Sequence, residues 1–126
     1  KAIATPGKPV AKRHRKPQSL TVVYLFAGAG GLSEGFRQAG YTIIAGSDND
    51  PDAAATYQRN FPGAQVIVGD IRSAAIKEKI LDAARRADVL VGGPPCQAFS
   101  QVRNHSRMID DPRNALYREF IDVLRQ

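Results

Sequence analysis

Cys96 lies in the run Gly92-Gly93-Pro94-Pro95-Cys96-Gln97-Ala98-Phe99-Ser100, directly after the apolar stretch Asp88-Val89-Leu90-Val91. A cysteine that serves only as a small buried hydrophobe usually sits inside a strand or helix. One placed after two prolines, just past the end of a strand, is better suited to chemistry. Its thiolate, favoured by nearby peptide N–H groups or by a cation such as Arg103, is a nucleophile. Ser100, Gln101, Arg103, Asn104, His105, Ser106 and Arg107 follow, a set rich in groups that contact phosphate. They read as a loop able to close over a substrate, and equally as an ordinary solvated loop.

Three further positions carry the same kind of signal. Phe26-Ala27-Gly28-Ala29-Gly30-Gly31 is a turn in which glycines permit backbone conformations closed to other residues and let a ligand approach the main chain. The turn departs from the dinucleotide fingerprint, because Ser33 stands where the third glycine belongs, and such glycines also serve a tight strand-to-helix turn with no ligand at all. Asp48 follows Gly28 by about twenty residues, the separation at which an acid holds ribose hydroxyls in a doubly wound fold. The alternative is that Asp48, Asp50 and Asp52 together open a helix, where acids suit the dipole; Asp50 and Asp52 are expected to do only that. Gly69-Asp70-Ile71 offers an acid that could bond an adenine amino group beside an apolar residue that could cover its face. Taken alone, Asp70 reads more readily as a helix cap.

The elements that must position these groups follow from the hydrophobic pattern. Leu20 to Phe26 is rich in β-branched and aromatic residues and predicts a buried strand. Residues 32–39 place Leu32, Phe36 and Ala39 at helical spacing before Gly40, a natural stop. Tyr41 to Ala45 predicts a second strand, and Asp50-Pro51 opens a second helix through Asn60, since proline is well placed in a first turn. Gln65 to Val68 predicts a third strand. Residues 73–86 predict a third helix with Ile76, Ile80, Leu81 and Ala84 on one face. Asp88 to Val91 predicts a fourth strand, and Asn114 to Leu124 a fourth helix. Strand and helix alternating in this way predict a parallel α/β sheet with crossover helices, a Rossmann-like half-fold in which ligands lie beyond the carboxyl ends of the strands. All four chemical signals fall at such ends.

Of the 18 Lys and Arg, six fall before residue 20 with no acid among them, so the net charge of +6 belongs to the start of the chain. Residues 1–19 are expected to form a basic, disordered arm that could attract phosphates in a salt-dependent manner, with residues 20–126 forming the folded unit. A single cysteine closes no intrachain disulfide, which favours a reducing, intracellular compartment, cytoplasmic or nucleoid in a bacterium and nuclear in a eukaryote. Glycines 28, 30 and 31 interrupt the only signal-like apolar run, no stretch is long enough to span a bilayer, and one Cys with two His predicts no metal site. The chain opens on Lys1 and its single Met is Met108, as expected of a piece of a longer protein.

At these residues the sequence resembles the DNA cytosine-5 methyltransferase family over about residues 20–124. Phe26 to Gly31 is similar to the family's first cofactor motif, Asp48 to its ribose-binding acid, Gly69-Asp70-Ile71 to its adenine-binding motif, and Pro94-Pro95-Cys96-Gln97 to its nucleophile motif. Asp111-Pro112-Arg113 with Leu116-Tyr117 resembles the segment that returns from the catalytic loop. The resemblance implies an S-adenosylmethionine-dependent methyltransferase fold, incomplete in this chain. It also implies S-adenosyl-L-methionine as cofactor, held by Phe26, Ala27, Gly28, Gly30, Gly31, Leu32, Asp48, Asn49, Asp70, Ile71, Pro94 and Leu116. Cys96 would be the catalytic nucleophile, adding to C6 of a cytosine flipped out of double-stranded DNA, with Gln97, Ser100 and Arg103 against the substrate. Asn49 departs from the large apolar residue common beside the ribose acid, and Tyr24 replaces an acid common two residues before the motif's phenylalanine. The family's later glutamate motif, its arginine motif and its target-recognition region have no counterpart here, and Glu119 matches none of them. The expected activity therefore requires a C-terminal part or a complementing subunit. The alternatives are a non-catalytic, cofactor- or partner-binding subunit of a split enzyme, or a methyltransferase acting on transfer RNA.

Overall fold

The computed structural model describes residues 19–95 and 115–126. Its elements alternate as β1 (Thr21–Leu25), α1 (Gly31–Gln38), β2 (Thr42–Asp48), α2 (Pro51–Asn60), β3 (Gln65–Val68), α3 (Ala74–Ala84), β4 (Val89–Gly92) and α4 (Ala115–Arg125). The four strands form one parallel sheet in the order β3-β2-β1-β4. The chain thus steps outward from β1 through β2 to β3, then returns across the sheet to place β4 on the other side of β1. That reversal puts α1 and α2 on one face and α3 and α4 on the other, as right-handed crossovers require.

Alternation along β1 feeds both faces. Val22 packs with Ile43, Tyr57, Phe61 and Ala64 under α1 and α2, while Val23 and Leu25 join Ala45, Ile67, Ile80, Leu81 and Val123 under α3 and α4. The register slips between Val22 and Val23, which pair with Ile43 and Ala45, so Ile44 is an extra residue in β2, and it packs with the α3/α4 core. Among the described residues no helix is long and apolar enough to cross a membrane.

Capping explains the C-terminus of α1 and the N-terminus of α2. α1 closes with Gly40 at φ +95, Gly40 N–H donating to Arg37 O at 3.1 Å and Tyr41 N–H to Phe36 O at 3.0 Å. This is the paired-bond C-terminal motif that favours glycine; its accompanying apolar contact is the edge-on Phe36–Tyr41 ring pair, with centroids 5.3 Å apart. Asp50 caps α2 by accepting from Asp52 N–H, with Pro51 in the first turn, as expected.

The boundaries differ from the sequence expectation in instructive places. β2 continues three residues past Ala45, because Gly46 and Ser47 pair with β1 and β3 and Asp48 with β3; their low intrinsic strand preference is overridden by partners on both sides. β4 begins at Val89 rather than Asp88 and includes Gly92. The Asp88 carboxylate instead accepts from Thr21 N–H at 2.8 Å and Thr21 Oγ1 at 3.0 Å. α1 starts at Gly31 instead of residue 32, α3 spans Ala74–Ala84 instead of residues 73–86, and α4 runs to Arg125, one residue past Leu124, while Asn114 lies outside the described residues. On α3 the buried residues are Ile80, Leu81 and Ala83, with Ile76 and Ala84 only partly covered. Ser19, assigned by composition to the basic arm, donates to Gly40 O at 2.7 Å and lies 2.7 Å from Thr42 Oγ1; the rest of the arm lies outside the described residues.

Gly30 shows how closely α2 underpins the turn after β1. It sits at φ +102, and a Cβ there would stand 2.4 Å from the Phe61 ring and 3.1 Å from that of Tyr57. Gly28, at φ +56, has open space around it. Gly30→Ala should therefore lower stability by about 3 kcal/mol through strain plus overlap, and Gly28→Ala by about 1 kcal/mol through backbone strain alone. Urea denaturation of the two variants checks the order; equal losses would mean that the Phe61 contact is not tight.

Candidate functional site

The carboxyl ends of β1, β2 and β3 converge on a cavity open to solvent and lined by Leu25, Phe26, Ser47, Asp48, Asn49, Gly69, Asp70, Ile71, Arg72, Pro95 and Leu116. Phe26, the first residue after β1, has φ +55, a left-handed conformation uncommon for a bulky side chain and costing roughly 1–3 kcal/mol. The adjacent Ala27 N–H, donating to Ser47 O at 2.9 Å, anchors that turn. The strain is repaid in placement, for the Phe26 ring is thereby a wall of the cavity.

Asp48 ends β2 and binds in two directions. Its Oδ2 accepts from Gly28 N–H at 2.8 Å and its Oδ1 from Asp50 N–H at 2.9 Å. The reading of Asp48 as a helix opener is thus only half right: Asp50 caps α2, and Asp48 fastens the glycine turn to the neighbouring strand end. Each of its oxygens retains acceptor capacity for a further donor such as a hydroxyl. Asn60, at the end of α2, donates from Nδ2 to Ala29 O at 3.0 Å, and Gly30 N–H donates to Ala27 O at 3.2 Å. The N–H groups of Ala27, Gly28 and Gly30 are consequently all committed inside the protein.

Asp70 follows β3 and is not the cap of α3; that place belongs to Ser73, whose side chain makes no capping bond. The Asp70 carboxylate accepts from Arg72 N–H at 2.9 Å and is gripped by the Arg72 guanidinium, Nε to Oδ1 at 3.0 Å and Nη2 to Oδ2 at 2.6 Å. Hydrogen bonds from Arg72 hold the Asp70 carboxyl below the usual carboxylate range. Ile71 beside it is buried. Leu116, which also lines the cavity, is carried by α4, which is joined to α3 by Lys77 Nζ at 2.5 Å from Glu119 Oε2 and 3.4 Å from Asp122 Oδ2.

Of the residues expected to hold a cofactor, Phe26, Asp48, Asn49, Asp70, Ile71 and Leu116 line this one cavity. Ala27, Gly28, Gly30, Gly31, Leu32 and Pro94 do not. Gly30 is packed against α2, Leu32 projects from α1 at 61% exposure, and Pro95 takes the place expected of Pro94. Cys96, Gln97, Ser100 and Arg103 lie outside the described residues. Sequence reasoning passed over Leu25, Ser47 and Arg72, and named Gly69 only as part of the Gly69-Asp70-Ile71 motif. Leu25, Ser47 and Gly69 belong to strand ends already singled out, whereas Arg72, the residue after Ile71, carried a signal only in its adjacency to Asp70.

Carboxylates at the ends of β2 and β3 and apolar groups from β1, Ile71 and α4 thus meet where the strand order reverses beside β1, the place where ligands bind in open parallel sheets. The sequence profile of the C-5 cytosine-specific DNA methylase family matches residues 20–126. The chain belongs to that family. It is 40% identical over 109 residues to Type II methyltransferase M1.HphI of Haemophilus parahaemolyticus, covering 85% of this chain and 29% of that protein. It is also 40% identical over 109 residues to Type II methyltransferase M.AquIA of a Picosynechococcus strain, covering 83% and 43%. The fold matches the crystal structure of a DNA modification methyltransferase encoded within a prophage (E. coli), with a TM-score of 0.63 at 35% identity over 84% of this chain and 28% of that one. It matches Spodoptera frugiperda DNMT2 with a TM-score of 0.57 at 27% identity over 86% of this chain and 32% of that one. The chain thus spans less than half the length of each of these proteins. The Rossmann-like sheet of the methyltransferases is present here in part.

The two carboxylates give two measurable consequences. Asp48→Ala removes the acceptor of the Gly28 and Asp50 N–H groups and should cost about 1–3 kcal/mol of stability, read from urea denaturation; a loss below about 0.5 kcal/mol would mean that the turn is held without it. Because the Asp70 pKa is lowered, its ion pair with Arg72 should persist as pH falls below the ordinary carboxylate range and be lost only on passing the lowered value. The Asp70 carboxyl ¹³C shift, followed by NMR against pH, should show this low midpoint and return to the ordinary range in Arg72→Ala. An ordinary midpoint in the unsubstituted protein would contradict the ion pair.

Proposed function

We propose that this chain is the cofactor-binding and nucleophile-bearing part of an enzyme that transfers a methyl group from S-adenosyl-L-methionine to C5 of cytosine in DNA. The observation that carries the reading is the cavity in which Asp48, Asp70, Phe26, Ile71 and Leu116 meet with Pro95, the residue that precedes Cys96 in the sequence. A ribose fits the acceptor capacity left on Asp48, an adenine amino group fits Asp70, and the purine faces fit the apolar walls. The family membership and the Type II methyltransferases similar to the chain support the same substrate class. Bound there, the cofactor supplies an electrophilic methyl group.

The rest of the chemistry belongs to this chain and its substrate. A cytosine ring is a poor nucleophile at C5, so it must first be made electron-rich. The Cys96 thiolate adds to C6, placing electron density on C5. Once C5 carries the methyl group and has lost its proton, expulsion of the thiolate restores the aromatic ring. C6 is inaccessible within a duplex, so the base must leave the stack, with residues 100–107 suited to close around it. The glutamate that engages the ring at N3 and the determinants of target sequence are assigned to sequence outside these 126 residues, on the same polypeptide or on a partner subunit.

In a complete enzyme carrying this chain, DNA containing 5-fluorocytosine should be captured covalently in the presence of S-adenosylmethionine, because fluorine blocks loss from C5 and the adduct cannot resolve. Cys96→Ser should abolish denaturant-resistant capture while leaving the affinity for S-adenosylhomocysteine within about twofold. Capture that survives the substitution would remove Cys96 from the mechanism.

A further inference from the structure

Ser33 takes the place of the third glycine of the dinucleotide fingerprint, the glycine that allows close helix–strand packing. Here a hydroxyl with a partner fills that place. Ser33 is wholly buried in the first turn of α1, and its Oγ lies 2.9 Å from the hydroxyl of Tyr57 on α2, itself 1% exposed. Burial raises the Tyr57 pKa, so the phenol keeps its proton and can donate. Two glycines make room for the Tyr57 ring. A Cβ at Gly46 would stand 2.5 Å from two of its carbons and 2.9 Å from its oxygen, and a Cβ at Gly30 would stand 3.1 Å from the ring. Phe61 packs beside it, with ring centroids 4.7 Å apart. Tyr57 thus touches three parts of the frame around the cavity: the first turn of α1, the glycine turn at Gly30, and β2 two residues before Asp48.

Two buried hydroxyls that satisfy each other return little net stability, because an apolar pair of the same shape does about as well, whereas removing one strands the other. What such a pair supplies is a single arrangement of the elements that carry it. We propose that Ser33 and Tyr57 are positioning residues that fix the start of α1 against β2 and thereby hold Phe26 and Asp48 at the separation a nucleoside spans. The inference rests on the reading of the cavity as the site of the cofactor's nucleoside. Phe26 leads into the glycine turn, α1 follows it, and Asp48 ends β2. The Gly28–Asp48 bond ties turn to strand end, and the Ser33–Tyr57 bond sets where the far side of that turn stands. Without it, the turn and the strand end drift relative to one another, and a ligand meets one wall of the cavity at the expense of the other.

The test uses the 126-residue chain, unsubstituted and as Ser33→Ala, Tyr57→Phe and the double variant, with the urea midpoint and the calorimetric affinity for S-adenosylhomocysteine measured on each. Each single substitution should lower the midpoint by stranding a buried hydroxyl, and the double variant should recover most of that loss. Affinity should not recover with it: the double variant should stay weakened roughly fivefold or more. In Tyr57→Phe the Gly28 amide proton, held downfield by its bond to the Asp48 carboxylate, should move upfield. An affinity that returns to the unsubstituted value together with the midpoint would overturn the proposal and leave the pair a purely structural contact. A Gly28 amide that stays in place in Tyr57→Phe would also overturn it, and that measurement decides the matter if the double variant does not fold. Absence of saturable binding to the unsubstituted chain would contradict the cofactor reading itself, and the proposal with it.

Discussion

The hydrogen bond from the Gly28 N–H to Asp48, 2.8 Å long, is the constraint on which the rest of the site depends. It ties the turn leaving β1 to the last residue of β2, and thus fixes two adjacent strand ends relative to one another at the rim of the sheet. Without it, the turn would be tied to the sheet through the Ala27–Ser47 backbone bond, with the Gly30–Ala27 bond inside the turn and the contact with α2, to hold a phenylalanine in a left-handed conformation. With it, the Phe26 ring faces the cavity and the Asp48 carboxylate, oriented by two backbone N–H groups, retains acceptor capacity for a ligand. One side chain therefore ties the turn to the sheet and lines the cavity at once, which is why the sequence alone left its role divided.

The far wall is built by charge instead of backbone pairing. Arg72 stiffens Asp70 at the end of β3, and Lys77 joins α3 to Glu119 and Asp122 of α4, the helix that brings Leu116 to the cavity. Ion pairs this exposed contribute little to global stability. Their consequence is geometric: they decide where an acceptor points and where an apolar wall stands. The site thus combines a rim secured by hydrogen bonds with a side secured by side-chain charges, set over a core that alternates along β1.

Much of this was legible in the chain because the relevant signals are short-range. β3 has the bounds that its β-branched run predicts, and Asp50-Pro51 caps α2 as its chemistry requires. The position of Asp48 relative to Gly28 anticipated a shared site, since both lie at ends of parallel strands. What escaped the sequence depended on contacts between distant segments. The tail of β2 is extended by neighbours that override the weak strand preference of Gly46, Ser47 and Asp48. Gly30 looked like a ligand-facing glycine, yet its missing Cβ makes room for Phe61, thirty-one residues on. Leu32, in the first turn of α1, projects to solvent. Arg72 went unnoticed because no periodicity marks a guanidinium that folds back on a residue two positions earlier.

The most direct test of the central claim, that the cavity beyond β1, β2 and β3 holds the nucleoside of S-adenosylmethionine, is to locate a bound ligand on the chain. Isotope-labelled protein titrated with S-adenosylhomocysteine, with NADH as a parallel control, should show saturable amide shifts concentrated at Phe26, Asp48 to Asn49, Gly69 to Arg72 and Leu116 with the first compound and none with the second. Saturable shifts that map elsewhere, or an equal response to NADH at the same residues, would contradict the account.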